Sequence, residues 1–159
     1  MNIHIVCVGK CRERFWKEAV AEYSKRLSRF CKLTVTELAD EKIPDNAGPA
    51  AEVAVLEKEG ERILSALRQN EFVVTLCVEG RQKDSVRFAE FIRENALAGK
   101  SNLAFVIGGS LGLAEAVKQR SGLRLSFSEM TFPHQLMRVV LLEQLYRAFK
   151  INANETYHK

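Results

Sequence analysis

LAFVIGGSLGL, residues 103–113, joins five apolar residues to a glycine-rich turn and the opening of a helix. The apolar run shows no two-residue alternation, which is the pattern of a parallel strand covered on both faces. Gly108, Gly109 and Gly112 then give the backbone freedom to turn and let a ligand approach it closely. A second run of the same kind, FVVTLCV, occupies 72–78. Working outward, IHIVCV (3–8), LTVTEL (33–38) and residues 123–127 complete a set of five expected strands. Between them lie helical patterns over about 12–30, 50–69, 85–97, 112–120 and 134–150. In the first, Phe15, Ala19, Tyr23, Leu27 and Phe30 recur at three- and four-residue steps. Pro44, Asn46, Gly48 and Pro49 mark 39–49 as a loop or flap. The order βαβαβαβαβα predicts one α/β domain over 1–159: a mostly parallel sheet of about five strands with helices on both faces. No repeat, low-complexity tract or linker divides it.

Composition bounds the function. The 159 residues are 47% hydrophobic and 28% charged, as in ordinary globular proteins. No stretch approaches the roughly 18 continuous apolar residues of a membrane span, and the N-terminus lacks a basic leader, so a cytoplasmic protein with no membrane partner is expected. Cys7 and Cys11 are spaced C-x3-C, but no second Cys or His pair completes a zinc set. Free thiols and no metal are therefore expected for Cys7, Cys11, Cys31 and Cys77. Residues 1–116 carry 17 basic and 17 acidic side chains, so the net charge of +4 comes from 117–159. A further basic stretch, 10–32, has eight Lys and Arg against three Glu. Such asymmetry suits a polyanionic partner, although an unevenly charged solvated surface explains it equally well.

Sheets of this kind bind ligands outside the carboxyl ends of their strands. Three segments answer that description: Leu76–Gly80, Gly108–Gly112 and Phe127–His134. The glycines do not follow the G-x-G-x-x-G spacing of dinucleotide binders. They do match G-x-S-x-G with Ser110 at the centre, the nucleophile elbow of a serine hydrolase. A triad would have to draw on Glu129 or Glu143 and on His134 or His158, in a chain short for that fold. In the last helix Leu136, Met137, Val139, Val140, Leu141 and Leu142 leave almost no polar side. One sheet face buries only one stripe of a helix, so a second subunit is expected to cover the rest. Glu143 and Arg147, four residues apart, are placed to pair. The polar tail NANETYHK, 152–159, reads as a free end that either frays or carries function.

These segments together resemble the RlmH family of SPOUT-class methyltransferases, which modify N3 of a pseudouridine in large-subunit (23S) ribosomal RNA. The resemblance rests on VCVGK (6–10), EYSKRL (22–27), KEGERIL (58–64), VIGGSLGL (106–113), LSFSEMTFPHQLMRVVLLEQLYRAFKI (125–151) and the terminal YHK. It covers essentially the whole chain in order, departing at Leu111, where relatives often have a polar residue. It implies a C-terminal trefoil knot, a cytoplasmic homodimer, no metal, and S-adenosyl-L-methionine (SAM) as cofactor. The cofactor would be held by Leu76, Gly108, Phe127, Ser128, Glu129, Met130, Thr131 and Phe132. The implied partner is ribosomal RNA within a large subunit or assembled ribosome. A SPOUT enzyme acting on another RNA nucleotide, a serine hydrolase and a non-catalytic RNA- or nucleotide-binding domain are the alternatives.

The chemistry assigns tasks. A sulfonium methyl is already activated, so the protein must orient it and make a weakly acidic imide nitrogen nucleophilic. Histidine titrates near neutral pH, which suits His158 as the base. Arg147 or Arg138 would stabilise the anion that forms, and Tyr157 would stack on the acceptor base or donate to it. His134 is expected to be structural. Gly108→Val is expected to block the cofactor without unfolding the chain.

Overall fold

The computed structural model describes residues 1–159. Its elements are β1 (Asn2–Val8), α1 (Arg14–Leu27), β2 (Lys32–Leu38), α2 (Pro49–Ala66), β3 (Phe72–Gln82), α3 (Ser85–Leu97), β4 (Asn102–Ile107), α4 (Glu115–Arg120), β5 (Leu123–Ser126) and α5 (His134–Asn152). The five strands form one sheet in the order β2-β1-β4-β3-β5, and every pairing is parallel. All ten expected elements are present, in the expected order.

The apolar runs behave as parallel core strands. On β1 and β4, Ile3, Ile5, Cys7, Leu103, Phe105 and Ile107 join one core, shared with Leu27 of α1, Ile92 of α3 and Leu141 of α5. The alternate residues Val6, Val8, Ala104 and Val106 join the opposite core with Ile63 of α2 and Val117 of α4. Helices therefore cover both faces. Burying a leucine-sized side chain contributes roughly 1.5–3 kcal/mol, so these two layers dominate stability.

Element ends shift where sequence punctuation misleads. α1 stops at Leu27, with Ser28 capping it, so Phe30 packs from the following turn against Phe149 at a ring distance of 5.8 Å. α2 starts at Pro49, whose fixed φ suits a first helical position. β3 runs beyond Val78 to Gln82 by an irregularity: Leu76 and Arg81 both pair with Leu125, and 77–80 bulge out between them. Gly80 permits this, since a Cβ there would lie 2.6 Å from the Leu125 carbonyl carbon.

The topology positions the site. β4, β3 and β5 are adjacent, so the three segments that leave their carboxyl ends lie side by side. After β5, at the sheet's edge, the chain returns and α5 packs between α1 and α3. Its most buried side chains, Arg138, Leu141, Leu142, Leu145 and Ala148, form one stripe at helical spacing.

All four cysteines are free. Burial pushes the Cys7 thiol up to about 12 and Cys31 to about 11, and raises Cys77 less, where the side chain is half-buried. Thiolate is the reactive form. Alkylation followed by mass spectrometry should therefore label Cys77 first and Cys7 only once denaturant opens the sheet.

Candidate functional site

The 77–80 bulge of β3 and the segments that follow β4 and β5 enclose a cleft of about 660 Å³. Leu76–Glu79 form one wall, Ile107–Leu113 the floor, and Leu125–Ser128 with Met130–His134 the opposite wall. Of the eight residues expected to hold a cofactor, Leu76, Gly108, Phe127, Ser128, Met130, Thr131 and Phe132 line this space. Glu129 is exposed and does not line it. The Ser128 hydroxyl accepts the Met130 N–H at 3.0 Å and its carbonyl accepts the Ser126 hydroxyl at 2.9 Å, so the turn holds itself tightly and points Glu129 outward.

The glycines of the floor serve the fold first. A Cβ on Gly108 would lie 2.6 Å from the Gly112 carbonyl carbon and 3.0 Å from Leu113 Cδ2. Gly112 has φ +88°, a left-handed conformation that glycine adopts without strain. The expectation for Gly108→Val is thus corrected: the new side chain would break the turn itself before meeting any ligand. Ser110 is exposed at the apex of this turn, and its hydroxyl has no hydrogen bond to His134, His158, Glu129 or Glu143, so no hydrolase triad is assembled around it.

Charge is confined to the rim. Lys118 and Glu79, both on the cleft wall, form an ion pair, and the lysine holds the Glu79 carboxyl below its usual range. Sequence reading passed over both residues because each looked like ordinary surface charge. At the other end, burial and then the Arg138 charge hold His134 below the ordinary imidazole value, so it is neutral at pH 7. Gly9, at φ +85°, makes room for this ring: a Cβ there would stand 3.0 Å from His134 Nε2.

Arg138 does not face the cleft, which corrects the expectation that it might stabilise substrate charge. It is fully buried, and Nη1 donates to Glu37 Oε1 (2.5 Å) and Cys11 Sγ (3.1 Å) while Nη2 donates to the Gly9 carbonyl (3.0 Å). Its position on an apolar helix gave no sign that it pairs with β2.

The tail is docked on the helix before it. Tyr157 donates to Glu143 Oε1 at 3.1 Å and meets the Tyr146 ring edge-on at 5.0 Å. Arg147 donates to the same carboxylate through Nε (3.1 Å) and Nη2 (2.6 Å), stacks over the Tyr157 ring at 4.7 Å, and lies 3.4 Å from His158 Nδ1. The expected pairing of Glu143 with Arg147 is present, and so are three of the four proposed catalytic groups: Arg147, Tyr157 and His158 form one cluster. Burial and then the Glu143 hydrogen bond push the Tyr157 phenol up to about 12, so it remains a hydrogen-bond donor at neutral pH. Glu143 is the residue that gathers them, a role four-residue spacing alone could not reveal. His158 also lines a hollow of about 620 Å³ with Phe127 and Phe132, the rings that wall the cleft.

The cleft combines apolar lining from Leu76, Ile107 and Phe127 with the backbone of the glycine turn and the side chains of Ser128 and Thr131, a mix suited to a small organic ligand. No three His, Cys, Asp or Glu side chains are grouped to hold a metal ion, and no helix is long and apolar enough to cross a membrane.

The family model described as a predicted SPOUT methyltransferase matches residues 1–158. Proteins named ribosomal RNA large subunit methyltransferase H from Clostridium novyi (strain NT) and Bifidobacterium animalis subsp. lactis (strain AD011) are 57% and 59% identical, each alignment covering 100% of both chains. A solved structure described as a probable methylase family protein from Haemophilus influenzae Rd KW20 shares the fold at TM-score 0.53 and 15% identity, over 99% of this chain and 70% of that one.

Replacing Glu143 with Gln should loosen the tail without disturbing the sheet. Hydrogen exchange should speed up at residues 155–158, while β1 and β4 keep their protection.

Proposed function

The chain belongs to the SPOUT methyltransferase family, and from that premise we propose that it transfers a methyl group from SAM to N3 of a pseudouridine in large-subunit ribosomal RNA. The observation that carries this reading is the three-turn cleft, in a chain collinear from end to end with relatives named as large-subunit rRNA methyltransferases. SAM supplies a methyl already activated by its sulfonium. Leu76, Gly108 and the 127–132 turn bind and orient that donor; among them Glu129 acts through the turn's shape, since its side chain points away. The trefoil crossing expected of the class belongs to this proposal, with the return of α5 from β5 at the sheet edge as its support.

Acceptor chemistry falls to the tail cluster. His158 takes the imide proton, and Arg147, held by Glu143, stands beside it to stabilise the developing anion. Tyr157, a neutral phenol, positions the acceptor base by stacking or donation. Arg138 anchors α5 and takes no part in the transfer.

The working form is a homodimer in the cytoplasm. Exposed apolar side chains support it: Val86 (44%) and Phe132 (38%) line the hollow beside α5, Met130 (73%) stands on the cleft wall, and Phe15 (59%) stands on α1, which packs against α5. A domain of this size grips RNA through its own basic surface, which suits a folded rRNA element in a large subunit or assembled ribosome.

Ser110 separates methyl transfer from hydrolysis. Ser110→Ala should leave SAM binding and methyl transfer within about twofold of wild type, whereas a hydrolase would lose its nucleophile. Ser110→Trp, at an exposed apex that lines the cleft, should abolish SAM binding in calorimetry while the melting temperature stays near wild type.

Deleting Tyr157–Lys159 should leave SAM affinity nearly unchanged and lower methyl transfer to rRNA by about a hundredfold or more, the scale of a lost acid–base group. Co-expressing this deletion with Ser110→Trp locates the tail. Restored activity places donor cleft and tail of one site on different subunits; an inactive mixture places them on the same chain.

A further inference from the structure

Glu59 is buried to 5% exposure on α2, directly behind the floor of the cleft. A Cβ on Gly109 would lie 2.9 Å from its Oε2, and Gly109 lines the cleft. The helix is pressed against this region, since a Cβ on the neighbouring Gly60 would come within 2.8 Å of the Ala114 Cβ. The carboxylate accepts one hydrogen bond, from the Glu41 N–H at 2.9 Å. It has no cationic partner: Arg62, one turn along α2, directs its guanidinium to the Glu41 carboxylate and the Ala39 carbonyl. The 39–47 loop adds only Asp40 and Glu41 nearby, while the glycine turn and Val8 bring no charge. A buried carboxylate without a counter-ion is costly, and such groups mark places where a ligand completes the charge balance.

We propose that Glu59 is the counter-charge for a cationic donor, its carboxylate facing a sulfonium in the cleft through the single backbone layer of Gly109. This rests on the assignment of SAM above. It gives the buried carboxylate a function within the reaction cycle. The substrate donor is a cation, whereas the product, S-adenosylhomocysteine, is a neutral thioether. Glu59 therefore favours the loaded state and loosens its hold once the methyl has left. Burial raises the Glu59 carboxyl; the Glu41 backbone hydrogen bond and Arg62 oppose this, while the charges of Asp40 and Glu41 add to it. Binding of the cation favours the ionised carboxylate, so preference for SAM over the product should rise as pH increases through the raised Glu59 titration.

Calorimetric titration of SAM and S-adenosylhomocysteine into wild type and Glu59→Gln, from pH 5 to 8, tests this. Glu59→Gln keeps the acceptor for Glu41 and removes the charge. It should weaken SAM by about tenfold at pH 7.5, the scale of one partly screened charge pair, and the product by less than twofold. The pH dependence of the wild-type preference should disappear with it. Equal weakening of both ligands, or no change in either, overturns the proposal. Because the folded carboxyl has the higher pKa, its ionisation opposes folding at neutral pH. Glu59→Gln should melt at or above wild type at pH 7.5, with the difference gone by pH 4. A variant melting far below wild type would make Glu59 a structural group and overturn the proposal as well. Failure of wild type to bind either nucleoside removes the SAM assignment itself, an outcome distinct from these.

Discussion

A buried guanidinium holds the C-terminal third of this protein to the rest. Arg138 reaches from the first turns of α5 to the Gly9 carbonyl beyond β1, the Glu37 carboxylate on β2 and the Cys11 sulfur between them. These partners lie far from it in sequence and on the opposite side of the sheet from β5. Removing Glu37 would leave the guanidinium charged in the interior, whereas Glu37 itself is partly solvated and would tolerate the loss of Arg138 better. The anchoring sets everything that follows β5: the position of His134 on the cleft, the direction of α5, and the place where the tail comes to rest.

From that anchor the site divides into two parts with different physics. The cleft is built from the β3 bulge and the turns after β4 and β5, so its shape is set by the sheet. Its shape is guarded by close backbone approaches at Gly80 and Gly108. The tail cluster is built from half-buried side chains on α5 and a short tail, gathered by the Glu143 carboxylate. A single carboxylate oxygen serving Arg147 and Tyr157 together keeps the arginine beside His158 and the phenol protonated. The cleft and the tail cluster meet at Phe127 and Phe132, which border both the cleft and the hollow that His158 lines.

The buried charges fall into two kinds. Arg138 and His4 are matched by protein partners, the latter by Glu71 and Thr36 at 2.9 Å each. Glu59 has no cationic partner, and it lies directly behind Gly109 at the floor of the cleft. Where a protein leaves a charge uncompensated is informative in the same way as where it leaves a pocket open.

The sequence by itself determined the elements, their order and which segments line the cleft. The reason is local: the continuous apolar runs at 72–78 and 103–107, bounded by turn residues, fit buried parallel strands, and the glycines at 108, 109 and 112 suit a turn. It also held the pairing of Glu143 with Arg147, because helix spacing is a one-dimensional fact. Tertiary structure alone decided what long-range contact controls. Arg138 left the catalytic set because its partners stand on β1 and β2. Glu129 left the cleft because the Ser126–Met130 turn points it to solvent. The tail, free to the eye in sequence, is held because Glu143 lies opposite Tyr157 after the chain reverses. Glu59 emerged only when α2 was seen pressed beneath Gly109. No periodicity encodes such meetings; they arise where the sheet brings distant segments within a few ångströms of each other.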